Sequence, residues 1–138
     1  MLGLIGCSKS KHGEGTDQQF EASQIYDSWL FELRKESVQV HCDRWAILSA
    51  EHELLEPEGQ IRYYDTTMDE RDPQQWAAAV AHQMAAAGLH ERFDSVLILA
   101  GRDYVDPIRP YLERFQMDVW DPMEGVRLFQ QRQDLKEL

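Results

Sequence analysis

Three short apolar runs, at residues 2–7, 45–49 and 95–100, are separated by segments in which apolar residues recur at helical spacing. Apolar runs of this length that stop at polar residues are typical of strands buried on both faces of a sheet. Strands that alternate with helices pair in parallel through right-handed crossovers, which leaves helices on both faces. The sequence therefore predicts an α/β protein.

The remaining elements complete this pattern. Helices are predicted at residues 23–40, 72–88, 106–115 and 126–138, and a short fourth strand at 117–120. Numbered in chain order, the strands are expected in the sheet order 2-1-3-4, with the most uniformly apolar runs at the centre. Residues 1–138 are predicted to form a single domain, a three-layer α/β/α sandwich with a four-stranded, mainly parallel sheet. Its core is expected to contain Trp29, Trp76 and Trp120.

The chain is strongly acidic, with 25 aspartates and glutamates against 14 lysines and arginines and a net charge of −11. Such a surface repels nucleic acid at ordinary salt, because phosphate contacts by lysine and arginine supply non-specific affinity. The same acidic excess is typical of halophilic proteins, whose self-repulsion is screened in a saline cytoplasm. In that case nucleic acid is a partner only at high salt.

No apolar run reaches the roughly 18 residues of a membrane span, and polar residues follow the first run in place of a signal-peptide cleavage pattern. A cytoplasmic protein without membrane contact is expected. The two cysteines, Cys7 and Cys42, lack the spacing of a structural zinc site and are expected to stay reduced. The sequence predicts neither a metal nor another cofactor.

Polar residues follow each of the three apolar runs, at the strand ends where open parallel sheets bind their ligands. These candidates are Cys7, Ser8 and Lys11 after the first run, Ser49 and His52 at the end of the second, and Gly101, Arg102 and Tyr104 after the third. Because the carboxyl ends of parallel strands meet at one edge of the sheet, such side chains are expected to come together. The expected pocket is lined by Cys7, Lys11, Ser49, His52, Gly101 and Tyr104.

Cys7 is a candidate catalytic residue, because Lys9 and Lys11 follow it closely. Nearby ammonium groups favour a nucleophilic thiolate. The alternative is a small buried side chain, followed by lysines that are solvated or that bind a phosphate together with Ser8. The segment is not a Walker A loop, because the glycine required before Lys11 is missing.

His52 and Asp65 are the other candidate catalytic residues. His52 is suited to act as a general base or to hold a phosphate. Asp65 adds a carboxylate beside Tyr63 and Tyr64, which together are a candidate aromatic wall for a ligand. The alternatives are a surface histidine in a turn and a tyrosine that completes the edge of the core.

The segment after the third run supplies further ligand-binding candidates. Gly101 allows a ligand to approach the backbone closely. Arg102 is suited to a carboxylate or phosphate, and Tyr104 to stacking on a base. The alternative is a structural turn that leads into the next helix.

These residues belong to a pattern that resembles a family of small, uncharacterised α/β domains of bacteria, archaea and phages. The pattern is Cys7-x-x-x-Lys11, Ala22-x-x-x-Tyr26-x-Ser28-x-x-Phe31, Ile47-Leu48-Ser49-Ala50-x-His52-x-Leu54-Leu55-x-Pro57, Tyr64-Asp65 and Leu99-Ala100-Gly101-Arg102-x-Tyr104. In that family a glycine commonly follows the histidine, where this chain has Glu53. More remotely, the architecture is similar to the uracil-DNA-glycosylase-like fold, including the domain of archaeosine-synthase relatives.

The strand-end residues and this resemblance favour an enzyme that handles a nucleotide or nucleobase, with N-glycosidic bond hydrolysis or transfer as its most concrete form. In that form phosphate is held by Lys11 and Arg102, the base stacks on Tyr104 or Tyr64, and water or the leaving group is positioned by Asp65, Glu51 or His52. The alternative is a binding module that holds a small ligand or nucleotide without catalysis.

Overall fold

Strands and helices alternate along residues 1–122, which are the residues that the structure, a computed structural model, describes. The strands are β1 (Leu2–Gly6), β2 (Phe20–Glu21), β3 (Arg44–Ser49), β4 (Glu53–Leu55), β5 (Gln60–Ile61), β6 (Ser95–Leu99) and β7 (Asp118–Trp120). The α-helices are α1 (Ala22–Ile25), α2 (Trp29–His41), α3 (Pro73–Ala86), α4 (Leu89–Arg92) and α5 (Arg102–Arg114), and Met68–Glu70 forms a 3-10 turn. The predicted helix at 126–138 lies outside the described residues.

The main sheet has five strands in the order β4-β3-β1-β6-β7, of which β3, β1, β6 and β7 run parallel to their neighbours. The chain is α/β, as predicted. The predicted count of four strands and the full order 2-1-3-4 are wrong, because β4 pairs antiparallel with β3 and forms one edge. A separate two-stranded sheet joins β2 to β5.

The extra strand begins at Glu53, whose φ of 58° lies in the left-handed region that favours glycine. This turn sends the chain back along β3, so that Glu53 faces Ser49 in the antiparallel ladder. The Glu53 carboxylate accepts hydrogen bonds from Arg71 at 2.9 Å and from Gln83 at 3.3 Å. These contacts hold a glutamate in a backbone conformation that glycine adopts more readily.

Side chains on the parallel strands alternate between two apolar cores, one on each face of the sheet. Leu4 and Ile98 belong to the core that α3 and α5 cover, whereas Ile5 belongs to the core that α1 and α2 cover. Helices therefore pack on both faces. The prediction that all three tryptophans are buried is wrong for Trp29 and Trp120, which are 46% and 40% exposed.

The helix boundaries differ from those predicted at two places. The segment predicted as one helix at 23–40 is divided between α1 and α2, because the Ser28 side chain accepts a hydrogen bond from the Phe31 backbone N–H and caps α2. Helix α5 begins at Arg102, before the predicted cap at Asp106. No helix of residues 1–122 is long and apolar enough to cross a membrane.

Replacing Gly3 with alanine is expected to lower the free energy of unfolding by about 1–3 kcal/mol, because there is no room for a side chain between β1 and α2. An added Cβ would lie 2.7 Å from Val38 Cγ1 and 3.1 Å from Cys42 Sγ. Chemical denaturation measures the change. Val38→Ala removes Cγ1 but keeps the Val38 Cβ, which would lie 2.8 Å from the added atom, so the double variant should lose somewhat less than the sum of the two single variants. Purely additive losses would show that Val38 is not the obstacle.

Candidate functional site

The carboxyl ends of three parallel strands lie side by side at one edge of the sheet. Strand β1 is paired with β3 on one side and with β6 on the other. Cys7 directly follows β1, and its backbone N–H donates to the Leu48 carbonyl of β3 at 3.0 Å. A Cβ on Gly6 would lie 3.1 Å from Ala100 Cβ, just beyond the end of β6. The residues that follow these strands therefore begin within a few ångströms of one another.

A chain of hydroxyl groups starts at the end of β3. Ser49 Oγ accepts the backbone N–H groups of Glu51 at 3.2 Å and His52 at 3.0 Å, and it lies 2.9 Å from the Tyr64 hydroxyl. The Tyr64 hydroxyl in turn lies 2.6 Å from that of Tyr26. Because a hydroxyl oxygen has two lone pairs, the two N–H donors leave Ser49 with its hydrogen to donate to Tyr64.

The Tyr64 ring is held between a cation and an imidazole. Lys11 Nζ lies 4.5 Å from the ring centroid, and the His52 ring meets Tyr64 edge-on with centroids 5.3 Å apart. Lys11 Nζ also donates to the carbonyls of Ser8 at 3.1 Å and Lys9 at 2.7 Å. Burial lowers the pKa of Lys11, although the charges of Cys7 and Asp65 oppose this shift. The ammonium group therefore has a fixed position over an aromatic face.

A second polar pair links β1 to α5. Cys7 Sγ lies 3.2 Å from the Tyr104 hydroxyl, and the Tyr104 ring packs edge-on against Trp76 at 5.5 Å between centroids. Beside this pair lies Arg34 of α2, which is only 7% exposed and whose Nη1 would be 3.3 Å from a Cβ on Gly6. Burial lowers the pKa of Arg34 to about 10, against the opposing charges of Cys7 and Tyr104. Arg34 thus brings a buried cation to the Cys7 side of the site.

The Arg102 guanidinium is directed to Asp121 rather than to this polar cluster. Its two terminal nitrogens each lie 2.8 Å from an Asp121 carboxylate oxygen, a bidentate arrangement. Arg109 Nη1 donates to the same carboxylate at 3.3 Å. The Asp121 side chain is 2% exposed, so both guanidinium groups meet a buried negative charge.

Two open clefts lie beside the strand ends. One, of about 460 Å³, is lined by Lys9, Ser10, Lys11, Glu14, Tyr63 and Asp65. The other, of about 540 Å³, is lined by Met68, Asp69, Arg71, Pro73, Gln74, Arg102, Asp103, Asp106 and Pro107. Lys11 and Asp65 thus share the first cleft, whereas Arg102 faces the second.

The predicted site residues fall into groups. Lys11, Ser49, His52 and Tyr64 form one connected set through Tyr64, and Cys7 contacts Tyr104. Ser8 contributes its carbonyl to Lys11, while its own hydroxyl donates to the Ser10 carbonyl at 2.9 Å. Gly101 caps α5, where its carbonyl accepts the Tyr104 N–H. Asp65 is exposed in the cleft.

Two residues of this region had no predicted role in a site: Tyr26 and Arg34. Tyr26 and Arg34 lie in a segment with the apolar spacing of a helix, where an aromatic side chain and an arginine are common and indicate no special role. Tyr63 lines the first cleft, which Tyr64 does not. Within residues 1–122, no three histidine, cysteine, aspartate or glutamate side chains are grouped as ligands of a metal ion.

Comparison with known sequences identifies a family that spans nearly the whole chain. A family of unknown function (DUF6884) matches residues 2–137. The chain belongs to this family. No curated protein and no solved structure matches the chain. Membership of the DUF6884 family thus agrees with the resemblance to uncharacterised domains.

Tyr26, Tyr64 and Tyr104 of this DUF6884 site have neutral side chains at physiological pH. Burial raises the pKa of Tyr26, Tyr64 and Tyr104 above the ordinary value of 10, and the nearby charge of Cys7 adds to the shift. In the unfolded chain these phenols ionise near pH 10. The folded protein therefore binds more protons than the unfolded chain above that pH, and its stability is complete below pH 10 and lost as the pH rises further.

An alkaline titration of the folded protein should show Tyr26, Tyr64 and Tyr104 staying protonated above pH 10 until the fold is lost. The ultraviolet absorbance of tyrosinate, followed together with circular dichroism, measures this. The control is the same titration in denaturant, in which all five tyrosines of the chain should ionise together. Full ionisation near pH 10 with the fold intact would contradict the buried hydroxyl cluster.

Proposed function

We propose that the chain is an enzyme that handles a nucleotide or nucleobase and hydrolyses or transfers at an N-glycosidic bond. The observation that carries this proposal is the hydroxyl chain of Ser49, Tyr64 and Tyr26, with Lys11 over the Tyr64 ring. The pKa values of Tyr26 and Tyr64 are strongly raised, and groups with shifted pKa values cluster at functional sites. This set lies at the carboxyl ends of parallel strands, the usual ligand position in α/β sheets.

The cleft beside Lys11 suits a nucleotide. Its volume of about 460 Å³ is within the range of small-molecule sites. The Tyr63 ring offers a face for stacking of a base, and Lys9 and Lys11 offer positive charge to a phosphate. Tyr64 is less suited to stacking, because Lys11 and His52 already contact its ring.

The chemistry of the proposal divides among three residues. Asp65 stabilises positive charge at C1′ as the glycosidic bond breaks, in the way that carboxylates act on oxocarbenium-like transition states. His52 takes a proton from the attacking water in hydrolysis. For transfer, the Cys7 thiolate bonds to C1′ as the base departs with the bond electrons, and an acceptor later displaces the sulfur.

The wider proposal includes a remote similarity to the uracil-DNA-glycosylase-like fold, which is an analogy at the level of the fold. It places the protein in the cytoplasm, with nucleic acid as a partner only at high salt. A non-catalytic nucleotide-binding module is the second candidate. The fixed position of Lys11, which two carbonyls and Tyr64 hold, favours it because such a cation can recognise a ligand without moving.

Release of free base from a panel of nucleosides and nucleotides, measured by liquid chromatography, tests the enzyme. Asp65→Asn should lower the release rate by roughly 10²-fold. The control Asp118→Asn makes the same chemical change on β7 and should leave the rate unchanged. A ligand that raises the melting temperature without release of base would support the binding module, and a panel without binding or release would contradict both.

A further inference from the structure

The hydroxyl chain holds one hydrogen more than its internal contacts use. Ser49, Tyr64 and Tyr26 carry one hydroxyl hydrogen each, and they share two oxygen–oxygen contacts, of 2.9 and 2.6 Å. The Ser49 hydrogen is directed to Tyr64, because both lone pairs of Ser49 are occupied by backbone N–H groups. One hydrogen of the two phenols therefore remains for an acceptor outside the chain.

Burial decides which phenol holds that hydrogen. Tyr26 is 1% exposed, and no acceptor for its hydroxyl other than Tyr64 lies among residues 1–122. The 2.6 Å contact fits either phenol as the donor, but a Tyr26 hydrogen turned away from Tyr64 would be buried without an acceptor. The favoured orientation therefore has Tyr26 donating to Tyr64. Tyr64 then accepts two hydrogen bonds, from Ser49 and Tyr26, and its own hydrogen is the one that remains.

The surroundings of Tyr64 make this hydrogen a strong donor. Two accepted hydrogen bonds polarise the Tyr64 O–H, since hydrogen bonds in a chain strengthen one another. Tyr64 is half-buried and lines neither of the two clefts, but the Lys11 ammonium, which lines the first cleft, lies 4.5 Å from its ring. The local field of this cation favours an acceptor atom that is negative or becomes negative.

We propose that the Tyr64 hydroxyl donates a hydrogen bond to the departing base, at a carbonyl oxygen or ring nitrogen that gains negative charge as the glycosidic bond breaks. This inference rests on the proposed function. The C1′–N bond breaks and its electron pair moves to the base, while the water oxygen bonds to C1′. The proton that the water loses ends on the base, so atoms and charges balance.

Tyr64 keeps its own proton throughout this step. Burial raises its pKa far above neutrality, so the phenol stabilises charge as a donor and does not act as an acid that ionises. Removal of the hydroxyl should therefore lower the rate without adding or removing a limb of the pH–rate profile. A preorganised donor of this kind acts only where charge develops.

The test compares two substrates of the same sugar: the nucleoside that the panel identifies, and the 4-nitrophenyl glycoside, whose leaving group needs no donor. Tyr64→Phe should lower kcat for the nucleoside by about 10²-fold and for the 4-nitrophenyl glycoside by no more than about 3-fold. Tyr26→Phe keeps the donor but removes one polarising bond, so its loss should be smaller. Tyr111→Phe, the same change on α5, is the matched control.

The outcomes separate the inference from the proposed function. Equal losses on both substrates would show a structural role for Tyr64, and an unchanged nucleoside rate would remove its role altogether; either overturns the inference while the enzyme stands. If the wild type cleaves neither substrate, the proposed enzymatic function is wrong. The affinity of the protein for free nucleobases then tests whether Tyr64 donates a hydrogen bond to a bound base. A Tyr64→Phe affinity weaker by about 5-fold or more supports the donor, whereas unchanged or absent binding overturns it.

Discussion

Replacing Asp121 with asparagine is expected to lower the free energy of unfolding by about 2–3 kcal/mol, because its hydrogen bonds are charged but the Arg102 and Arg109 side chains are still 37% and 34% exposed to water. The Asp121 carboxylate is 2% exposed and receives two hydrogen bonds of 2.8 Å from Arg102 and one of 3.3 Å from Arg109. Asparagine keeps the shape but removes the negative charge that faces two guanidinium groups. Its amide nitrogen would also point a donor at a donor.

Chemical denaturation of both proteins measures this loss, and Asp106→Asn is the matched control. Asp106 also faces Arg102, at 3.8 Å, but its side chain is 70% exposed. Surface pairs of this kind contribute about 1 kcal/mol or less. A loss at Asp121 no larger than that at Asp106 would contradict a structural role for the buried carboxylate.

The Asp121 contact also explains why the sequence could not predict the partner of Arg102. An arginine at the end of a strand fits a phosphate, and its position after β6 could be read from the apolar run. The carboxylate that it contacts lies 19 residues further on and reaches it only because β7 pairs with β6. Single-sequence patterns do not carry that long-range contact.

The parallel strands were predictable because burial on both faces demands uninterrupted apolar runs, as at residues 2–7 and 95–100. Strand β4 was not, because its three residues are too few for a pattern, and its existence depends on the left-handed turn at Glu53. Propensity opposes that conformation for glutamate. The contacts of Glu53 with Arg71 and Gln83 override it, and both partners are distant in sequence.

The site was predictable as a location but not as a network. Strand ends placed Cys7 and Ser49 near each other because the sheet is parallel. Tyr26 is one of the apolar positions of the segment predicted as a helix at 23–40, and Arg34 is a charged residue of the same segment to which the pattern assigns no role. Only the break before Ser28 and the packing of α2 on β1 bring them to the site.

Replacing Ser49 with alanine is expected to lower the free energy of unfolding by about 2–4 kcal/mol. Ser49 is fully buried, and its hydroxyl serves the N–H groups of Glu51 and His52 and the Tyr64 phenol. Each buried group that loses its partner costs about 1–3 kcal/mol. The sum is reduced where water reaches Glu51, which is an exposed residue.

The matched control is Ser37→Ala, which also removes a buried serine hydroxyl. Ser37 Oγ donates to the Leu33 carbonyl at 3.0 Å. Leu33 lies one turn earlier in the same helix, α2. Its removal should cost about 1 kcal/mol or less. Similar losses at both serines would show that the three contacts of Ser49 do not act together.

A double-mutant cycle with Tyr64→Phe isolates the contact on which the hydroxyl chain depends. If Ser49 donates to Tyr64, the two single variants lose the same hydrogen bond. The sum of their losses in unfolding free energy should then exceed the loss of the double variant by about 0.5–3 kcal/mol. Additive losses would mean that the 2.9 Å contact is not energetically coupled. The orientation of Tyr64 as a donor to the site would then lose its support, because that orientation requires Ser49 to fill one of its lone pairs.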